Sequence, residues 1–131
     1  MIGGPVRVEV TVRQGALVLS AVATKLGDDL VVAIGGGARP HVGCAVLAQP
    51  HPSTADPERS SSTASTLVIP PHRDDAIART VADALARGLG VVVLAAAGVH
   101  TDDLDASGIS AYRRLARRLA DRLLAALRDR S

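Results

Sequence analysis

Leu30-Val31-Val32-Ala33-Ile34-Gly35-Gly36-Gly37-Ala38-Arg39-Pro40-His41-Val42-Gly43 is the stretch on which the fold turns. Its first five residues are apolar without alternation, which predicts a strand covered on both faces and therefore central in a sheet. Three glycines in a row let a backbone come close to a ligand and adopt φ > 0 without a Cβ clash, at a cost in chain entropy. Arg39 adds a planar cationic fork suited to phosphate or carboxylate, and His41 a ligand or proton carrier. Pro40 fixes φ between them and holds Arg39 extended. Two readings stay open on these residues alone. One is a binding loop with a rigid polar tip; the other is a wide turn between strands Leu30–Ile34 and Val42–Ala48.

Toward the N-terminus, Val6, Val8, Val10 and Val12 alternate with Arg7, Glu9, Thr11 and Arg13, a strand with one wet face. Gln14-Gly15 is a turn signal and Ala16–Thr24 continues in β-favouring residues, so a hairpin is expected before the break at Gly27-Asp28-Asp29. Toward the C-terminus, Val42–Ala48 reads as a fourth strand, with Cys44 a small buried hydrophobe. Residues Gln49–Thr63, dense in Pro50, Pro52, Pro57 and Ser60–Ser62, read as a mobile loop with His51 solvated in it. Ala64–Ile69 is a strand stopped by Pro70-Pro71. Ile77, Val81, Leu85 and Leu89 recur at helical spacing, with Gly88 and Gly90 as terminators. Val91–Ala95 is a second unbroken apolar run, hence another central strand. Ile109, Tyr112, Leu115, Leu119, Leu123 and Leu127 then stripe a final helix. The predicted order is β-β-β-β-β-α-β-α. It makes residues 1–131 a single α+β domain in which helices pack on a mixed sheet.

Composition narrows the function. The chain has 131 residues, 47% of them hydrophobic, yet no Phe, no Trp and only Tyr112. Without rings to stack on bases, nucleic acid is not an expected partner. The formal charge is only +2, and the arginines of the last helix, interrupted by Asp121 and Asp129, read as a solvated face. A lone Cys44 excludes an intramolecular disulfide framework and fits a reducing cytosol. Met1–Pro5 lacks a signal-peptide pattern, and no apolar run approaches the roughly 18–20 residues of a membrane span. A cytoplasmic protein is expected.

The chemistry is placed at strand exits. Gly35 and Gly37 satisfy G-x-G, but Pro40 stands at the third glycine position and a strand follows, so the dinucleotide fingerprint fails. No phosphate-loop lysine motif, nucleophile elbow or Cys–His pattern is present, and the only glutamates are Glu9 and Glu58. His41 follows the third strand, His72 the fifth and His100 the sixth. If those strands run parallel, three imidazoles gather at one sheet end, with Asp74, Asp75, Asp102 and Asp103 close in sequence. Such a cluster can bind a divalent metal, grip an anionic cofactor or move protons.

Three blocks carry a resemblance: Gly36-Gly37-Ala38-Arg39-Pro40-His41-Val42-Gly43, Pro71-His72-Arg73-Asp74-Asp75 and Ala97-Gly98-Val99-His100-Thr101-Asp102. In this order they resemble the signature blocks of the prenylated flavin chaperone family, typified by LpdD, the accessory subunit of gallate decarboxylase. Pro71 departs from the glycine common there, and Ser107-Gly108 replaces an acidic residue. The resemblance implies a fold similar to proteasome assembly chaperones, usually dimeric. It also implies a non-catalytic role: holding or delivering prenylated FMN for a UbiD-like decarboxylase of aromatic acids, with a flavin prenyltransferase as a further partner. Their shared placement at strand exits, taken with these blocks, makes Gly35, Gly36, Gly37, Arg39, His41, His72, His100 and Asp102 the expected cofactor-binding residues. His41, His72 and His100 are the candidate metal ligands. The competing classes are a protein-only assembly chaperone and a His-site metal-dependent enzyme. A homodimer is also expected from the need of Val-rich strands to hide edges and apolar faces.

Overall fold

Alternation decides the first hairpin. Val8 and Val12 are buried in β1 (Arg7–Gln14), while Arg7, Glu9, Thr11 and Arg13 between them are exposed. β2 (Leu17–Leu26) pairs antiparallel with β1, Gln14 opposite Leu17, so the turn is Gly15-Ala16, one residue later than expected. Gly15 takes φ 59°, where a Cβ is penalised. A computed structural model describes residues 6–70, 75–100 and 105–129. The elements that follow are β3 (Asp29–Gly37), β4 (Cys44–Pro52), β5 (Ser60–Val68), α1 (Asp75–Leu89), β6 (Val93–His100) and α2 (Ala106–Arg128). The order is the predicted one.

All six strands form one mixed sheet in the order β1-β2-β3-β6-β4-β5. β3 and β6 are parallel, in register from Leu30 opposite Val93 to Gly37 opposite His100. β4 is antiparallel to both β6 and β5. It follows that β3, β5 and β6 run in one direction and end at one edge of the sheet, the condition on which the histidine cluster depended. The opposite end is pinned where Asp29 accepts the Val92 N–H at 3.0 Å.

Both helices lie on the same face of this sheet. α1 packs on β4, β5 and β6, α2 on β1 and β2, and the helices pack on each other. Leu85, Leu115, Leu119 and Leu123 meet Leu19, Val32, Val46 and Val93 in a core free of water contact. Each such side chain stabilises by roughly 1.5–3 kcal/mol on burial. α2 is capped by Asp105, whose side chain accepts the Gly108 N–H at 2.8 Å. Arg118 of α2 donates to the Arg13 carbonyl at 2.9 Å and ties the helix to β1. Ile109, expected on the buried stripe, is 45% exposed because it lies in the first turn.

Four sequence expectations need correction. β3 and β6 are central, but they are covered on one face only: Val31 is 36% and Leu94 41% exposed on the side without helices. Their unbroken apolar runs therefore leave an open apolar sheet face. Gly35–Gly37 are the last residues of β3 rather than a loop. The segment 49–63 is mostly hairpin. β4 runs to Pro52 and pairs Pro50 with Ser62 and Pro52 with Ser60, leaving 53–59 as the connection. Beyond Ala48, β4 has no β6 neighbour, so two prolines spaced by two can turn their missing N–H groups to the unpaired edge. His51 is part of this hairpin, bonded to the Thr63 hydroxyl at 2.8 Å. Last, Gly88 is helical: a Cβ there would lie 2.8 Å from Leu124 Cδ1, so it admits α2 rather than ending α1. Gly90 at φ 67° follows the end of that helix.

The segment between β3 and β4 crosses back over the sheet. Ala38 donates to the His100 carbonyl at 2.8 Å and Gly43 to that of Ala97 at 2.9 Å, so the chain runs over the end of β6. Gly98 makes this crossing feasible, since a Cβ on it would sit 1.4 Å from the His41 carbonyl oxygen.

Two stability outcomes follow. Leu119→Ala should cost about 2–5 kcal/mol in urea unfolding, whereas Leu26→Ala, at a side chain 63% exposed, should stay within roughly 0.5 kcal/mol. Gly98→Ala should cost about 1–3 kcal/mol or more through overpacking against the His41 backbone. A wild-type midpoint for Gly98→Ala would mean the crossing segment does not rest on β6.

Candidate functional site

The crossing segment assembles the site. Gly37, the last residue of β3, takes φ 70° and turns the chain out of the sheet beside His100. Arg39 and His41 are thereby delivered to the C-terminal end of β6. Arg39 Nη2 lies 3.3 Å from His100 Nε2. A guanidinium only donates, so Nε2 accepts and a neutral His100 carries its hydrogen on Nδ1. His41 Nδ1 lies 3.0 Å from the Arg39 carbonyl, which can only accept, so this nitrogen is the donor. The two imidazoles stand edge to face with centroids 6.5 Å apart. One guanidinium and two imidazoles thus share one corner, in which the guanidinium is a donor in every state and His41 Nε2 becomes one when its ring is protonated, an arrangement suited to an anion.

Beside this corner a cavity of about 590 Å³ opens on the uncovered sheet face. That volume is in the range of small-molecule sites. Val18, Ser20 and Val22 of β2, Ala33, Gly35 and Gly37 of β3 and Ala96 of β6 line it, closed at one side by Pro40, His41 and Val42. The floor is built of small side chains, flat and mostly apolar. Ser20 is its polar exception, and its hydroxyl meets that of Thr11 at 2.9 Å.

The predicted residues divide accordingly. Arg39, His41 and His100 are brought together. Gly35 and Gly37 line the cavity, and Gly35 also makes room for Pro40, whose Cβ would be 3.1 Å from an added one. Gly36 also borders the cavity with its backbone but is buried. A Cβ on it would meet the Val18 carbonyl at 2.5 Å, so it serves strand packing. His72 and Asp102 lie outside the described residues. The chain does leave β5 at this end of the sheet, where Ile69 donates to the Gly43 carbonyl at 2.8 Å. Among the described residues, no three His, Cys, Asp or Glu side chains are grouped to hold a metal ion. Cys44 is buried and directs its thiol to the Ala97 carbonyl, 3.8 Å away on β6, as a core residue.

Sequence reading missed the floor. Ser20, Val22, Ala33 and Ala96 come from three strands at alternate positions and are adjacent only through the β2–β3 and β3–β6 registers. No single stretch announces them. Gly98 stands in a quoted block but was not assigned its role of admitting the His41 backbone.

The comparisons with known proteins agree with this architecture. No match to the chain is found among curated proteins. Among solved structures, a chain of a crystal structure described as a novel chaperone complex for yeast 20S proteasome assembly is similar, with a TM-score of 0.58. It covers 92% of this chain and 94% of its own length at 14% identity, a likeness of fold. The family model for the prenylated flavin chaperone LpdD-like domain matches residues 13–128, which include β2 to β6, both helices and the whole crossing segment. The chain belongs to the prenylated flavin chaperone LpdD-like family, a family of chaperones rather than enzymes.

Proposed function

We propose that this protein holds prenylated FMN as cargo for a UbiD-like decarboxylase of aromatic acids, in the cytoplasm and as a homodimer. The observation that carries this reading is an Arg39–His100–His41 corner beside a cavity with a flat floor of small residues, which His41 also borders. The two parts match the two ends of such a cofactor. The Arg39 guanidinium suits a phosphate, as does His41 when its ring is protonated, and charge-assisted bonds are about twice as strong as neutral ones. Ala33, Gly35 and Ala96 suit a planar ring system, which needs a surface without protruding side chains.

The same features suit release. Arg39 is exposed and the cavity opens to solvent on the sheet face, so cargo leaves without unfolding its holder. No general base or nucleophile is demanded of the residues. His72 and Asp102 belong to this reading through the family blocks, and the supplier of the cargo would be a flavin prenyltransferase.

A second reading is favoured by one observation, the open apolar face of β3, β6 and β4. A protein-only assembly chaperone would use that face and the fold it shares with the yeast chaperone complex, with the histidines structural. Flavin-type absorbance in freshly purified protein favours the first reading, and its absence after reconstitution the second.

Titration with FMN and prenylated FMN, followed by flavin fluorescence, tests the site directly. Arg39→Ala should weaken binding by about 1.5–3 kcal/mol, roughly ten- to more than a hundred-fold, while leaving the urea midpoint in place. His100→Ala should weaken it as well, and the double variant should lose less than the two single losses added, because both side chains face one ligand group. Strict additivity, or unchanged affinity in Arg39→Ala, would remove the phosphate from this corner.

A further inference from the structure

We infer that the Ser20 hydroxyl, held by Thr11, reads the ring of the cargo by hydrogen bonding to the imide edge (carbonyl, N–H, carbonyl) of a flavin-type heterocycle. The inference rests on the proposed reading of the cavity as a flavin site and adds what fixes the ring within it.

The cavity has few polar points. Among its described lining residues only Ser20 and His41 carry a polar side chain; the others are alanine, valine, isoleucine, glycine or proline. An apolar site of this kind orients its guest through a small number of placed polar groups. His41 belongs to the anion corner. Ser20 is then the lining side chain that can direct the other end of a ligand, because alanine and valine give a ring a surface but no direction.

The registers set the two points apart. Ser20 of β2 is opposite Gly35 of β3, and Gly35 is opposite Gly98 of β6, over which the His41 backbone lies. Two strand spacings, about 10 Å, therefore separate Ser20 from the strand that carries the anion corner. His100 stands two residues farther along β6, about 7 Å. A ligand that meets both points is extended, with its anionic group at one end and its ring at the other. Pro40 stands over Gly35 between them, so the ring lies beside Pro40 and over Ala33 and Ala96.

The chemistry of the hydroxyl pair suits an imide. Thr11 and Ser20 are register partners, with their hydroxyl oxygens 2.9 Å apart. One of their two protons is spent between them and the other is free. When Thr11 donates, Ser20 offers its own O–H to a carbonyl. When Ser20 donates to Thr11, its lone pairs accept from an N–H. A flavin imide presents both kinds of group along one edge, so the pair serves either without moving a side chain. Val18 and Val22 flank Ser20 on the same lining, and a ring seated there shields the bond from water, which strengthens it. The charged neighbours on β1 do not compete: Arg7 is paired with Glu9, and neither they nor Arg13 line the cavity. The ring added by prenylation is fused away from the imide edge, so this contact is common to FMN and prenylated FMN.

A Thr–Ser bond across two strands is also an ordinary sheet contact, so the test needs a readout that such a contact does not move. That readout is discrimination between FMN and 3-methyl-FMN, in which a methyl replaces the imide hydrogen and blocks the approach of a hydroxyl. By flavin fluorescence titration of the full chain, wild type should bind 3-methyl-FMN about three- to tenfold more weakly than FMN. Ser20 is exposed, so Ser20→Ala should keep the wild-type circular dichroism spectrum. This variant should bind FMN about three- to tenfold more weakly than wild type and no longer distinguish the two flavins. Ser20→Thr, which keeps the hydroxyl, should retain the distinction. Riboflavin shares the ring and lacks the phosphate, so Ser20→Ala should weaken it by the same factor as FMN. Equal binding of FMN and 3-methyl-FMN by wild type would overturn the inference without any variant, and would leave flavin as the cargo. So would a Ser20→Ala protein that keeps full discrimination, or one that binds FMN more weakly but spares riboflavin. If wild type binds none of these flavins, the cargo reading falls and the ring contact falls with it.

Discussion

The contact of Gly98 with the backbone of His41 is the constraint on which the rest depends. β3 and β6 are parallel neighbours, so the chain leaving β3 must pass over the end of β6 to enter β4 on its far side. That passage brings a carbonyl to within 1.4 Å of where a Cβ on residue 98 would be. Any side chain there would lift the segment 38–43 away from the sheet. Because Arg39 and His41 ride on this segment and His100 ends the strand beneath it, one glycine holds both the topology and the anion corner. One packing requirement thus sets both the path of the chain and the placement of these side chains.

The glycines of β3 divide the work in a similar way. Gly36 points into the sheet interior beside the Val18 carbonyl, Gly35 accommodates Pro40, and Gly37 alone uses positive φ to turn the chain. The entropy cost of three adjacent glycines is thereby matched to three separate steric demands. Two of them leave a flat floor behind. Flatness on the cavity side thus arises from the same residues that permit the crossing.

Much of this was legible in the sequence, and the part that was not has a physical cause. Element order follows from periodicity in β1, α1 and α2 and from the two apolar runs, because those patterns are local. The gathering of Arg39 with His100 required knowing that β3 and β6 are parallel, which spacing does not encode; the family blocks supplied the association. The extent of β4 was misread because Pro50 and Pro52 usually end strands, and only the absence of a β6 neighbour beyond Ala48 makes them tolerable. The cavity floor was invisible for a different reason. It is a property of registers among β2, β3 and β6, and an alanine or serine at an alternate strand position has no signature of its own.

The reading that failed most usefully concerns coverage. An unbroken apolar run predicts burial on both faces, and β3 and β6 are buried on one. The periodicity argument concerns the environment a strand requires, not the environment its own chain supplies. Helices α1 and α2 are both spent on one side, and the final helix, 23 residues long, is fully engaged with β1, β2 and α1. Among the described residues no further element remains to cover the second face. The apolar pattern of β3, β6 and β4 thus leaves Val31, Leu47 and Leu94 on a face that the helices of this chain do not cover. Alanine and glycine line the cavity at one side of this face, and leucine stands at its centre.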